Sequence, residues 1–461
     1  MPSIATGHDD AGPRRDRLAG IDPAWLGLGF ALLALFVYVA SNPERQNFYN
    51  HFVWQADAFL SGSAAIPWPV SEGPVQNGYF QDVYPLTNEP GRALIPFPPL
   101  PALLLLPLVA AYGLSTDAAL VAAVIGALDV GLAWRLAARL TPRRDVAAVA
   151  TAFFAFGTVH WYAAMLGSTW FLAHVVATLF LLLGITAALD AERATAETSA
   201  DATTEAGPLL DQRQLRAGLL FGLAALARLT TILGAPFFVL VGRGGTALRR
   251  ALAAGLGAAL PVLALLAYNL ATTGHLFHPG YEHLYRTEIR PAPDGGLAQL
   301  LPLLSGITYH PGEWAIEDLR YVPQNLLIML GWLPVVRPEC GLSLLDQACP
   351  LLKPDRIGMS LLLTSPAYLL AVPFALRAWR RRIVLGSLLA IGAIAFVNLA
   401  HFSQGWVQFG YRFSNDFAPF GLVLVTLAIA QRGVDRLVLA LVGISIVVNA
   451  WGVYWGVVSG W

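Results

Sequence analysis

Eleven apolar stretches, most of them long enough to span a lipid bilayer, recur along the 461 residues. A water-soluble fold has too little interior to hide so many. In hydrocarbon no water satisfies the backbone N–H and C=O groups, so each crossing must be a helix of roughly 20 residues or a strand of a closed barrel. The long unbroken runs predict helices, hence an all-α polytopic membrane protein. Composition agrees, with 56% hydrophobic and only 13% charged residues and a mean hydropathy of +0.59. Zero net charge and a pI near 7.1 set a nucleic-acid partner aside.

The predicted spans are 23–41, 117–138, 145–165, 169–189, 215–231, 233–242, 251–271, 358–376, 383–400, 417–431 and 436–457. The sixth is too short to cross alone and is expected to form a hairpin with the fifth, turning near Thr230 and Gly234, as Pro236 permits. The whole chain, 1–461, then reads as one membrane domain. Arginines collect in alternate loops, around Arg14, Arg143, Arg213, Arg249, Arg380 and Arg432, which makes those loops cytoplasmic. That alternation requires residues 98–114 to dip into the membrane and return, and Pro101 and Pro107 suit such an irregular segment. The first span is longer than a signal-peptide core and no convincing A-x-A site follows it, so it reads as an anchor. The expectation is a multi-pass protein of the plasma (inner) membrane with a cytoplasmic N-terminus.

Two large outer loops result, 42–116 and 272–357, while residues 190–213, rich in Ala, Thr, Glu and Asp, read as a disordered cytoplasmic connector. Cys340 and Cys349 both fall in the second outer loop, where they can form a disulfide if that face is oxidising, or remain thiols. Apart from His8, every histidine lies toward the outer face, and His275, His278 and His283 with Glu282 are close enough in sequence to hold a metal, although nothing fixes their geometry. No cofactor is required by the sequence, and a divalent metal has no specific support.

The first outer loop carries the strongest candidates for chemistry. Residues 47–62, NFYNHFVWQADAFLSG, show helical apolar spacing and predict an interfacial helix lying flat on the outer leaflet, with Asp57 on or near its polar side with Asn50 and, a turn back, Asn47, Glu44 just upstream, and Asn50 and His51 as candidate substrate contacts. Either carboxylate could act as general base toward a hydroxyl acceptor, or simply be a solvated or capping acid. Asp82 is a further acid that could touch an acceptor. Arg412 and Arg228 are the cations best placed to meet an anionic substrate, since a guanidinium in lipid needs a partner or a phosphate. Arg412 could instead pair with Asp416 four residues on. Trp406 and Tyr411 flank Arg412 and could stack on a sugar.

The first span, the helix ending in ADAFLSG (56–62) and the run PFPPLPALLLLPL (96–108) together resemble the GT-C type membrane glycosyltransferases, particularly the polyprenyl-phosphate-mannose and aminoarabinose transferase relatives (glycosyltransferase family 39-like). Residues 217–228 (AGLLFGLAALAR), 268–281 (YNLATTGHLFHPGY) and 405–419 (GWVQFGYRFSNDFAP) look similar too. The resemblance implies a GT-C-like bundle that moves a sugar, with inversion, from a polyprenyl-phosphate donor to a lipid, glycan or protein acceptor at the outer face. The chain departs from the pattern twice. Asn47 and Phe48 stand where relatives place an early acid, and Phe97 stands where they often carry a lysine before Pro-Pro-Leu. The base role then falls to Asp57 or Glu44, or the chain is a non-catalytic scaffold on the same architecture. A transporter or flippase of lipid-linked sugar is the other class, but no internal repeat is seen and intramembrane ionisable residues are few, chiefly Asp129, Arg135 and Arg228.

Overall fold

The computed structural model describes residues 20–45, 49–68, 82–199, 210–287, 314–405 and 408–458. Trp406, Asn47, Phe48 and most of the polar stretch after Trp68 lie outside the described residues, as do residues 200–209 of the expected connector. The chain is a helical membrane-spanning protein. Among the described residues six helices are long and apolar enough to cross a membrane: α1 (Pro23–Ser41), α4 (Ala118–Leu140), α7 (Thr169–Ser199, with Thr169–Arg193 as its spanning stretch), α10 (Ala247–Thr273), α15 (Arg382–Ala400) and α17 (Arg436–Val458).

The remaining predicted spans are helical but shorter or broken. The third splits into α5 (Arg144–Phe156) and α6 (His160–Leu166), bent by 52°, because Gly157 and Thr158 interrupt the helical hydrogen bonding. The fifth is α8 (Gln212–Ala227), joined through a 3-10 turn (Leu229–Gly234) to the short α9 (Ala235–Leu240), which is the anticipated hairpin. The eighth breaks at Pro366 into α13 (Leu361–Thr364), a 3-10 turn and α14 (Ala371–Ala378). The tenth is α16 (Ala418–Arg432). Side-chain caps set several starts: Asp22 accepts from Ala24 N at 2.8 Å, Asp117 from Leu120 N at 2.9 Å and Asp211 from Arg213 N at 2.9 Å.

Long-range hydrogen bonds sort the helix ends into two layers. At the arginine-rich end, Arg144 donates to Ile21 O, Arg193 to Arg139 O and Arg382 to Leu240 O. At the opposite, loop end, Asn42 donates to Met165 O, Arg45 pairs with Asp117 at 2.9 Å and Asp318 N donates to Ala400 O. Helix α3 (Leu100–Tyr112) is entered from Phe97 beside His51 and left toward Asp117 beside Arg45, so it starts and finishes in the loop layer. Thirteen residues would reach only about 20 Å. Apolar side chains of α1 and α10, such as Phe36 and Leu260, stay exposed and form lipid-facing surface.

Three local expectations are corrected. Helix α2 (His51–Leu60) does not lie flat on a surface: Phe52, Val53 and Ala56 pack into one apolar cluster with α3, and Trp54 and Ala58 into another. The loop after it contains strand as well as helix, since β1 (Ala65–Pro67), β3 (Arg92–Leu94) and β2 (Tyr84–Pro85) pair antiparallel in that spatial order. Finally, α7 continues through Ser199 instead of giving way to a connector at Asp190. Its Ala- and Glu-rich end has high helix propensity, and Asp190 and Glu192 pair with Arg139 (2.8 Å) and Arg382 (3.6 Å). The second loop holds α11 (Gly280–Thr287), α12 (Val322–Gly331) and a two-stranded pair, β4 (Val335–Val336) with β5 (Leu352–Lys353). Cys340 and Cys349 beside that pair are joined by a disulfide, with their Cα atoms 5.0 Å apart.

Candidate functional site

Asp416 is the node of the loop end. It closes a 3-10 turn (Arg412–Asp416) and its carboxylate is buried. Arg228, at the C-cap of α8, grips it with two donors, Nε to Oδ1 at 3.1 Å and Nη2 to Oδ2 at 2.8 Å. Thr230 Oγ1 donates to Oδ2 at 2.9 Å and Asn398 Nδ2 approaches at 3.4 Å. His174 Nδ1 lies 2.8 Å from Oδ1, and because a carboxylate only accepts, that nitrogen carries the proton. Burial alone would push the Asp416 carboxyl up, but the charge and hydrogen bonds of Arg228 hold it well below the ordinary carboxylate range.

Arg228 stands at the edge of a cavity of about 400 Å³. Leu229, Ile232, Leu233, Val397 and Phe413 make much of its wall apolar, while Thr230, Tyr281, Glu317, Asn398 and His401 supply polar groups. Nη1 of Arg228 has no hydrogen-bond partner among the described residues. Glu317 is the one carboxylate among the described lining residues, and its Oε1 lies 3.2 Å from His401 Nδ1. Burial pushes the Tyr281 hydroxyl up to about 12, with Asp82 and Glu317 adding to the rise and Arg228 opposing it, so it stays protonated and able to donate.

Buried polar side chains back the wall formed by Phe97 and Trp170. Asp82 accepts from Trp170 Nε1 at 2.7 Å and is a non-glycine residue with positive φ, +31°. His51 Nδ1 bonds Thr169 Oγ1 at 2.8 Å, and its ring packs 5.9 Å from Phe97 and 6.1 Å from Trp170. Arg412 is buried with its guanidinium carbon 5.6 Å from the Trp170 ring and 5.3 Å from Phe413. Gly405, at φ +90°, makes room for it: a Cβ there would come 2.9 Å from Arg412 Nε.

The structure therefore gathers Arg228, Arg412, Asp82 and His51 of the residues anticipated from sequence around one cavity. It does not bring Asp57 or Glu44 into the lining: Asp57 is half-buried on α2 and Glu44 is exposed in the turn after α1. Asn50 caps α2 and Tyr411 is fully buried behind the 3-10 turn; neither lines the cavity. The partner of Asp416 is Arg228, 188 residues away, which the local i,i+4 reading could not find. His174 is one of the outer-face histidines anticipated from sequence, whereas Glu317 and Asn398 were not singled out, although an asparagine inside an apolar run is a usable signal. No group of three or more His, Cys, Asp or Glu side chains suited to a metal occurs among the described residues, and His278 Nδ1 is instead taken by Gly280 N at 2.9 Å.

No protein-family model matches the chain, and no curated protein is similar to it in sequence. Among solved structures it is similar to the oligosaccharyltransferase of Archaeoglobus fulgidus, in the apo form (TM-score 0.46, 12% identity) and tethered to an acceptor peptide containing the NVT sequon (TM-score 0.49, 14% identity). Both alignments take in 95% of this chain but only 56% and 55% of those proteins, so the chain spans about half their length.

Proposed function

We propose that the protein is a membrane glycosyltransferase that moves a sugar from a polyprenyl-phosphate donor to an acceptor hydroxyl at the loop end, placed on the extracytoplasmic face of a plasma (inner) membrane. The observation that carries this reading is the 400 Å³ cavity, in which an arginine fixed by a buried carboxylate faces a largely apolar wall. An isoprenoid tail suits such a wall, and a departing phosphate suits the open Nη1 of Arg228 together with the Tyr281 hydroxyl. Arg412 adds a second buried guanidinium behind the Trp170 and Phe413 rings of that wall. Inversion needs a base on the acceptor side, and Glu317, beside His401 on the cavity wall, is our candidate. The resemblance of residues 96–108, 217–228 and 405–419 to GT-C enzymes supports the same class.

The test is to incubate the purified full chain with a panel of polyprenyl-phosphate sugars and follow labelled-sugar transfer. Arg228→Lys keeps the charge but loses the two-pronged grip, and should lower turnover roughly 100-fold. Glu317→Gln should lower it by on the order of 100-fold or more. Asp82→Asn, Asp57→Asn and Glu44→Gln are run beside them. A larger loss in Asp57→Asn or Glu44→Gln than in Glu317→Gln would return the base role to α2 or its approach. Absence of transfer from every donor would sink the enzyme reading in favour of a scaffold or a carrier of lipid-linked sugar.

A further inference from the structure

A second pocket opens at the arginine-rich end, between α4, α7 and α8, with a volume of about 260 Å³. Its Asp190 is 20 residues along α7 from Trp170 of the loop-end cavity, a rise of about 30 Å, so the two sites are on opposite sides of the bilayer. The pocket is graded in chemistry. Leu132, Leu183 and Leu220 line its deep part, while Arg135, Arg213 and Arg216 stand at its mouth.

The charge at the mouth is unbalanced. Asp190 takes both Arg135 (3.2 Å) and Arg139 (2.8 Å), while Arg213 and Arg216 form no ion pair among the described residues. Three guanidiniums thus line the pocket with one carboxylate, which Arg139 also holds from outside the lining. Thr186 lines the same pocket, is 2% exposed, and its Oγ1 has no hydrogen-bond partner among the described residues. A buried hydroxyl without a partner costs about 1–3 kcal/mol unless something reaches it. Leu183 and Asp190 are seven residues apart on α7, about 10 Å, the depth over which a lipid passes from acyl chain to phosphate.

We propose that this pocket binds an anionic phospholipid, its phosphate held by Arg213, Arg216 and the Thr186 hydroxyl and its first acyl carbons laid on Leu132, Leu183 and Leu220. An ammonium-bearing zwitterionic headgroup would meet the surplus arginines unfavourably, so the site selects net-negative lipids. The assignment is independent of the catalytic reading.

Native mass spectrometry of the full chain, released from mild detergent after equilibration with equal phosphatidylglycerol and phosphatidylcholine, reads the site directly. Wild type should retain phosphatidylglycerol with about tenfold preference or more, and Arg213→Gln/Arg216→Gln should abolish most of that preference. Thr186→Val should weaken retention several-fold with an unchanged melting temperature. Arg380→Gln, which removes a charge at the same end away from the pocket, should leave retention intact. Equal retention of the two lipids, an equal loss in Arg380→Gln, or displacement of the lipid by a matching concentration of inorganic phosphate would each overturn the proposal.

Discussion

Asp416 shows how a charge survives inside this chain: Arg228, Thr230 and His174 satisfy it, and none is its neighbour in sequence. Removing one member of a buried ion pair leaves the other stranded, at a cost of about 3–5 kcal/mol. Asp416→Asn should therefore lower the thermal midpoint in detergent by several degrees as well as abolish transfer. If the midpoint stayed at the wild-type value, the node would not be a structural anchor. His278 gives a pH-dependent counterpart. Burial lowers its imidazole to about 4, and Nδ1 accepts from Gly280 N, which holds the neutral form just ahead of α11, three residues before Tyr281. The folded state then binds fewer protons than the unfolded chain between about pH 4 and the ordinary imidazole value near 6.5, so stability rises with pH across that window and is flat above it. The contribution is at most about 3 kcal/mol, and His278→Asn should flatten the acid limb of a stability profile. A limb of unchanged slope in that variant would place the titration elsewhere. At this scale the sequence was legible where a charge sat in an apolar run, as with Arg228 and Arg412. It was silent where the meaning lay in a distant partner, as with Asp416 and Glu317.

Helices were the most legible elements, because apolar length is a one-dimensional property and the bilayer enforces it. What length could not announce was packing: α2 shows the periodicity of a surface helix, yet is enclosed because α3 and the small sheet cover both of its apolar sides. The break between α5 and α6 was also hidden, since Gly157 and Thr158 sit in an otherwise continuous apolar stretch. Helices α8 and α10 pack in close contact, and small residues permit it. A Cβ on Gly218 would fall 2.0 Å from Ala254 O, and one on Gly222 would fall 2.7 Å from Ala258 Cα. Because the C-cap of α8 carries Arg228, separating the pair would also disturb the cavity. Gly218→Leu should lower the melting temperature and the yield of folded protein far more than Gly255→Leu, whose Cβ meets open space. Equal effects would mean that the contact is not needed.

Across the whole molecule, the two layers of helix ends carry different chemistry. One gathers the cavity, the buried ion pair, the disulfide and most of the aromatic contacts; the other gathers short arginine-bearing turns. Cytoplasmic loops concentrate Lys and Arg, so we propose that the second layer faces the cytoplasm and the first the outer side. That assignment depends on α3 returning to the layer it leaves, and the Arg45–Asp117 contact at 2.9 Å ties its exit to the end of α1. A membrane-impermeant maleimide should label Leu319→Cys in intact cells and reach Arg380→Cys only after permeabilisation. The reverse pattern would turn the molecule over and put the proposed transfer on the cytoplasmic side. Labelling of both positions in intact cells would instead mean that an even number of crossings separates Leu319 from Arg380, so that the layers themselves would need redrawing.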